Sequence, residues 1–167
     1  MANQDAAFGM RPLKMIGGAP FHGGQSRYRI AANYGTNIFQ GDMVAQVTGG
    51  GIEVHADGGT VPVVGVFNGC RFTDPTTGKE TFSNFYPAST NASDIEAFVI
   101  DDPNVIYEIQ ADAAFPVADL FGNFDIVYTT SGSTVTGISG AELDVTTGAT
   151  NTNLPIKAID ISQDPEN

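Results

Sequence analysis

The hydrophobic pattern of the chain changes after its first 24 residues, where polar and apolar positions begin to alternate. In residues 25–32, Tyr28 and Ile30 fall on one side of an extended chain, and Arg27 and Arg29 fall on the other. An alternation with a period of two is typical of a β-strand that buries one face. We therefore predict a half-buried strand in this segment.

The same pattern recurs along the rest of the chain, where glycine and aspartate clusters separate short runs of β-branched and aromatic residues. Glycine-rich turns before the second, third and fourth strands predict three consecutive hairpin connections, and thus an antiparallel meander. Only residues 91–96 and 112–120 could hold a turn or two of helix. The predicted fold class is all-β, an antiparallel barrel or sandwich. Further strands are predicted over residues 43–47, 52–55, 61–67, 95–100, 105–110, 124–128, 135–138, 143–145 and 154–161.

Residues 1–24 show neither helical nor strand periodicity, because glycine and proline interrupt every window. A flexible, solvated tail is poor in large apolar residues, so this segment is predicted to lie extended against an apolar surface. That surface could be the chain's own body, a sister subunit or a different protein. We divide the chain into an extended N-terminal arm, residues 1–24, and a single β-rich body, residues 25–167. The large apolar residues of the arm are Phe8, Met10, Met15, Ile16 and Phe21.

A long loop with an aromatic group is predicted over residues 71–88, between the two series of strands. Its aromatic residues are Phe82, Phe85 and Tyr86. A loop of this length inside a compact domain is usually functional or braced by packing. These side chains therefore either contact another protein or pack onto the chain's own body.

Charge is distributed unevenly along the chain. Its 7 Lys and Arg stand against 19 Asp and Glu, a net charge of -12, which repels phosphate backbones and anionic lipid headgroups. We therefore expect no nucleic-acid partner and no membrane partner. Residues 1–29 contain four basic residues and a single acidic one, Asp5. By contrast, no Lys or Arg occurs between Lys79 and Lys157. A basic leading segment on an acidic body indicates that the segment has a partner of its own.

Apolar anchors beside cations favour a protein surface as that partner. Arg11 and Lys14 could pair with carboxylates of an acidic sister subunit or of an acidic patch on another protein. The candidate protein-contact residues are Phe8, Met10, Arg11, Lys14, Met15, Phe21, Phe82, Phe85 and Tyr86.

No constellation of residues argues for an enzyme. Cys70 is the single cysteine, which rules out an intrachain disulfide and fits a small buried hydrophobe. A dyad of Cys70 with His55 is conceivable, but nothing around either residue matches a nucleophilic site. The pair Asp101-Asp102 fits a solvated tight turn better than a calcium loop. We expect no catalytic residue, no cofactor and no metal site.

No targeting or membrane segment is apparent in the sequence. The N-terminus lacks the cationic start and the apolar run of a signal peptide, and no window approaches the roughly 20 apolar residues of a membrane span. The chain of 167 residues is the size of one domain. We expect a single soluble domain that is made in a cytoplasm.

Nine short motifs are spread over nearly the whole chain. They are NQDAAFGMRP at residues 3–12, RYRIAANYG at 27–35, QGDMV at 40–44, VGVFNGC at 64–70, DPTT at 74–77, FYP at 85–87, DDPN at 101–104, YEIQAD at 107–112 and GISGAELD at 137–144. With these motifs the chain resembles head decoration proteins, or cement proteins, of tailed bacteriophages. The resemblance is greatest to those of short-tailed phages, cyanophages among them.

The resemblance implies a β-rich structural protein of the virion. Such a protein would oligomerise on the outer capsid surface and bridge neighbouring major capsid proteins against the pressure of internal DNA. A trimer, or otherwise a dimer, is expected, since capsids offer threefold and twofold positions to a symmetric clamp. The alternative is a carbohydrate-binding β-module for attachment to the host, although the absence of tryptophan counts against it.

Overall fold

The computed structural model describes residues 6–59, 61–149 and 153–162, and within them the fold is built almost entirely of β-strands. A single 3-10 turn, Val117–Asp119, is the only helical segment of these residues. The strands are β1 (Arg11–Met15), β2 (Ser26–Arg29), β3 (Ile38–Phe39), β4 (Met43–Val47), β5 (Gly51–Val54), β6 (Val63–Thr73), β7 (Glu80–Ser83), β8 (Phe85–Tyr86), β9 (Glu96–Ile100), β10 (Val105–Glu108), β11 (Asn123–Val127), β12 (Glu142–Ala149) and β13 (Ile156–Lys157).

The largest sheet has six antiparallel strands in the order β2-β9-β6-β4-β5, and β7 pairs with the C-terminal half of β6. The sheet curls until its edge strands β2 and β5 touch. A Cβ atom on Gly51 of β5 would lie 2.9 Å from the Arg29 carbonyl oxygen of β2. No ladder joins these two edges in the described part of the chain, so the sheet stays open. The predicted all-β class is confirmed. Of the two predicted architectures, barrel and sandwich, the described residues form a sandwich and not a closed barrel.

The inner face of the six-stranded sheet carries the main core. Alternation along the strands turns Val44, Cys70, Ala97 and Val99 inward, where each is almost completely buried. The short pair β3-β8 closes this core with Ile38 and Tyr86.

A second layer covers part of the outer face of the same sheet. It consists of the pair β1-β10 and the three-stranded sheet β12-β11-β13. Met10 and Ile126 of this layer pack against Met43 and Val66 of β4 and β6. The second layer leaves the rest of this outer face uncovered in the described structure. That uncovered part is formed by β2, by the first half of β9, by the second half of β6 and by β7, and its outward side chains are exposed or half-buried.

The strand predictions were correct in most of the body and wrong in connectivity. Residues 43–47 form β4 as predicted, and the 3-10 turn falls inside the predicted segment 112–120. The meander is wrong because β6 pairs with β4 rather than with β5. Residues 134–136 form a turn, and Ile138 makes only an isolated bridge with Gln40, so no strand covers residues 135–138. Of the last predicted strand, only Ile156–Lys157 is paired.

Part of the N-terminal segment packs on the body, which was one of the three surfaces considered for it. Residues 11–15 form β1, which pairs with β10 through a bulge between Pro12 and Lys14. Met10 is buried in the second core. Residues 11–15 are extended and lie against the chain's own body. The chain then turns back, since the Met15 amide donates to the Ala19 carbonyl at 2.8 Å, and Ile16 is 61 % exposed. The bulge breaks the alternation, so the strand had no periodic signal.

Candidate protein-contact site

Two of the predicted contact residues are buried core residues. The Tyr86 side chain is completely buried and its hydroxyl donates a hydrogen bond of 3.1 Å to the Tyr34 carbonyl, while Met10 lies in the second core. Tyr86 offers no surface to a partner, so its assignment is corrected. Met10 is mostly buried as well, although it lines the cleft described below. Phe85 is half-buried and its ring stacks on Phe39 with centroids 5.7 Å apart. The predicted loop 71–88 is in fact the β6-β7 hairpin followed by β8.

The remaining candidates of the N-terminal segment are partly or fully exposed. The Arg11 guanidinium lies 4.6 Å from the centre of the Phe8 ring and forms an ion pair of 2.6 Å with Glu108 of β10. Arg11 therefore pairs within its own chain. Lys14 is exposed, Met15 is half-buried, and Phe21 stacks on His22.

Phe8 and Arg11 form one wall of a surface cleft of about 200 Å³. The other wall carries Ile138, and Val66 lies beneath the cleft. Phe67 lines it too, although its side chain is buried in the main core. The cleft is open to solvent at the margin where the second layer ends. A preformed apolar cleft of this size fits one or two side chains of a protein partner.

Backbone hydrogen bonds fix the two walls of the cleft. The Met10 amide donates to the Gly41 carbonyl at 2.9 Å, which holds the N-terminal wall against the start of β4. The Ser139 amide donates to the Gln40 carbonyl at 2.9 Å, which holds the wall that carries Ile138. Gly9 lies so close to Ser139 that a Cβ atom would stand 2.5 Å from the serine Cβ. The cleft is therefore preorganised.

The buried carboxylate of Asp42 connects the segment that carries Ser139 with the end of β3. The Asp42 carboxylate accepts a hydrogen bond of 2.5 Å from the Ser139 hydroxyl and one of 2.7 Å from the Phe39 amide. Burial raises the pKa of Asp42 from 3.8 to about 6, against the opposing effect of these two hydrogen bonds. No cation pairs with it among the described residues, so an ionised Asp42 costs free energy in the folded state.

Replacement of Asp42 by asparagine should therefore flatten the pH dependence of stability. The pKa is raised in the folded state, so the contribution of Asp42 to stability is complete below its ordinary pKa and is lost as pH rises through about 6. We expect the stability of Asp42→Asn relative to the parent to rise between pH 5 and pH 8, by about 1 to 1.5 kcal/mol in the free energy of unfolding. Urea denaturation at both pH values measures this, with Asp160→Asn on the exposed surface as control. An equal difference at the two pH values would contradict it.

Two side-chain amides, those of Gln40 and Asn68, line the polar side of the cleft. The Gln40 amide donates to Asn68 at 2.9 Å, and the Asn68 amide donates to Gln25 at 2.9 Å. Each amide keeps further donor or acceptor capacity. These groups can bind the backbone of an extended partner segment while the apolar walls hold its side chains.

Beyond the cleft, the uncovered half of the six-stranded sheet carries arginine and phenylalanine side chains. The strand register places Phe82 beside Arg71, Arg71 beside Glu96, and Glu96 beside Arg29. Arg71 pairs with Glu80 at 2.5 Å and with Glu96 at 2.9 Å. We call the set Arg27, Arg29, Arg71, Phe82 and Phe98 the basic-aromatic face.

No catalytic arrangement is found in the described part of the chain. The Cys70 thiol donates to the Phe85 carbonyl at 3.5 Å, and burial raises its pKa to about 12. His55 is buried too, and its Nε2 lies 3.1 Å from the Val61 carbonyl oxygen, so Cys70 and His55 form no dyad. No group of three potential metal-ligating side chains occurs within the described ranges. No helix in those ranges is long and apolar enough to span a membrane.

Sequence reasoning missed several residues that shape the site. Ile138 was placed in a predicted strand, and Asp42 was read as part of a turn. The GISG motif at residues 137–140 is the available signal, since Gly137 and Gly140 lack room for a side chain where the segment meets Asn84 and Thr130. Such close approach indicates tight packing of that segment.

Comparison of the chain with known protein families, with curated proteins and with solved structures finds no match.

Proposed function

We propose that this protein binds the outer surface of a phage capsid and stabilises the shell by bridging neighbouring major capsid proteins. The observation that carries the proposal is the convergence of four of the decoration-protein motifs on the cleft. Residues 8 and 10–12, 40–41, 66–68 and 138, which belong to four different motifs, line it. Segments more than a hundred residues apart in sequence thus meet at one solvent-open surface.

The chemistry of the cleft favours a protein as its partner. Phe8, Pro12 and Ile138 offer apolar contact, and Gln40 and Asn68 offer amides to a peptide backbone. The net charge of -12 opposes binding to DNA that escapes the shell. It also keeps closely spaced copies on a virion from associating nonspecifically.

Bridging requires several modest contacts that act together. Truncation of one apolar anchor in such an interface commonly costs ~1 to 4 kcal/mol, and linked contacts add avidity without new chemistry. A preformed cleft lowers the cost of ordering on binding. We propose a closed homo-oligomer, a trimer or otherwise a dimer, as the form that occupies a symmetric capsid position.

Co-sedimentation with expanded empty capsids, assembled from the major capsid protein of the same genome, tests the proposal. We expect the protein to pellet with expanded capsids in a saturable manner and to raise their melting temperature. A glycan array run in parallel tests the alternative role in host attachment. Clear sugar binding, together with no binding to capsids, would replace the proposed function with that of a carbohydrate-binding module.

A further inference from the structure

An apolar segment with no cover in the described structure connects β10 to β11. In residues 113–122, Val117 is 71 % exposed and Phe121 is 64 % exposed, and Ile159 lies close by, after β13. Ordinary surface loops are polar, and neighbouring large apolar side chains on a surface mark an interaction site. We call residues 112–122 the acidic-aromatic loop.

Phe121 is held in a conformation that phenylalanine rarely adopts. Its φ is 71°, in the left-handed region that favours glycine. The Phe121 amide donates to the Ala158 carbonyl at 2.9 Å, and the Ala158 amide donates to the Gly122 carbonyl at 3.1 Å. These bonds impose the conformation while the ring stays in solvent. Strain retained at an exposed aromatic residue points to a binding role for that residue.

The surroundings of the loop are acidic. Asp112 and Asp119 lie within it, and Asp160 follows Ile159. Lys157 is the only basic residue after Lys79 in the sequence. A partner for this surface must therefore offer apolar contact together with positive charge.

The basic-aromatic face offers both, and its available positive charge comes from Arg27 and Arg29, since Glu80 and Glu96 on the same face pair with Arg71. Phe82 is 68 % exposed, and the Arg27 side chain is also largely exposed, with one ion pair of 3.5 Å to Glu96. Arg29 makes one long hydrogen bond of 3.5 Å to the Ser93 carbonyl, and no ion pair of Arg29 occurs in the described structure. Arginine and aromatic side chains are enriched at the energetic centres of protein interfaces.

Within one chain the two surfaces do not meet. The loop belongs to the three-stranded sheet and the face to the six-stranded sheet, and no hydrogen bond, ion pair or ring contact between described residues joins them. We propose that the acidic-aromatic loop of one copy docks on the basic-aromatic face of a second copy. Phe121 would pack beside Phe82 and Phe98, and the loop carboxylates would face Arg27 and Arg29.

This arrangement is a head-to-tail contact, because each copy contributes a different surface. Each end copy keeps one free surface, so the contact extends to a closed ring where the rotation between copies permits it. The contact does not use the cleft and does not depend on capsid binding. Failure of this contact and failure of capsid binding are therefore separate results, whereas a strictly monomeric parent would also contradict the closed homo-oligomer proposed above.

Sedimentation velocity of the full chain, from micromolar to hundreds of micromolar, tests the proposal. We expect concentration-dependent association that Phe121→Gly weakens at least tenfold. Glycine adopts a positive φ freely, so this variant should melt no lower than the parent. The double variant Arg27→Glu with Arg29→Glu should show the same weakening. Val135→Ala, at an exposed position outside both surfaces, should associate like the parent.

Mixing the two defective variants distinguishes this contact from a symmetric one. The loop of the arginine variant and the face of the glycine variant are both intact, so the mixture should form a one-to-one complex that grows no further. The proposal is overturned if the parent stays monomeric, if either variant associates like the parent, if Val135→Ala weakens association equally, or if the mixed variants do not bind each other.

Discussion

Replacement of Gly9 by alanine should destabilise the protein by about 3 kcal/mol or more in the free energy of unfolding. Gly9 has a φ of 68°, and an added Cβ would stand 2.5 Å from the Ser139 Cβ and 2.8 Å from the Gly41 carbonyl oxygen. These neighbours are a short side chain at a buried position and backbone, so neither can yield without displacing the network around Asp42. The substitution would also open the cleft between its two walls.

Gly17→Ala is the matched control for this effect. Gly17 also has a positive φ, 94°, but an added Cβ would meet nothing within 4 Å. Only the backbone strain of roughly 1 kcal/mol remains there. Urea denaturation of both variants separates the clash from the strain. Equal losses at the two positions would show that the N-terminal segment does not pack on the body as described.

Tyr86→Ala should cost about 3 to 5 kcal/mol, since it removes a large and completely buried side chain from the main core. The Tyr34 carbonyl would also lose its hydrogen bond from the Tyr86 hydroxyl. By contrast, Phe82→Ala removes an exposed ring of similar size and should change stability by no more than about 0.5 kcal/mol.

Tyr86→Ala and Phe82→Ala together test which aromatic side chains of residues 71–88 belong to the core and which belong to the surface. Thermal and urea unfolding of both variants give the two free energies, and Tyr86→Phe isolates the hydrogen bond at about 1 to 3 kcal/mol. If Phe82→Ala were the more destabilising, or if Tyr86→Ala were neutral, the assignment of Tyr86 to the core would be wrong.

The all-β class could be predicted from the sequence because alternation is a local signal. Residues 43–47 carry such a run between glycine-containing turns, and β4 has those bounds. Strand partners are not encoded locally, which is why β6 was placed beside β5 instead of β4. β1 was missed because its bulge and Pro12 disrupt the period of two that identifies a strand.

The candidate site shows the same division between local and non-local information. The sequence singles out Phe8 and Arg11 because an apolar anchor beside a cation is conspicuous in a glycine-rich segment, and both residues line the cleft. Ile138 and Asp42 were not identified, because their roles depend on contacts between distant parts of the sequence. Asp42 is hydrogen-bonded to Ser139, 97 positions away, and Ile138 lines the cleft together with Phe8. The burial of Met10 and Tyr86 could not be predicted either, because it results from tertiary packing. Methionine and tyrosine suit a protein core and an interface equally, so the residue types alone did not decide between the two.

The affinity of cleft variants for expanded capsids tests the account most directly. Phe8→Ala with Ile138→Ala removes one anchor from each wall, and loss of two such anchors should weaken binding about 30-fold or more. Val61→Ala is the control, because Val61 is 44 % exposed, close to the 41 % of Ile138, and lies outside the cleft. We predict that the double variant stays folded and loses affinity while the control binds like the parent. Unchanged affinity of the folded double variant would contradict the assignment of the cleft as the capsid contact.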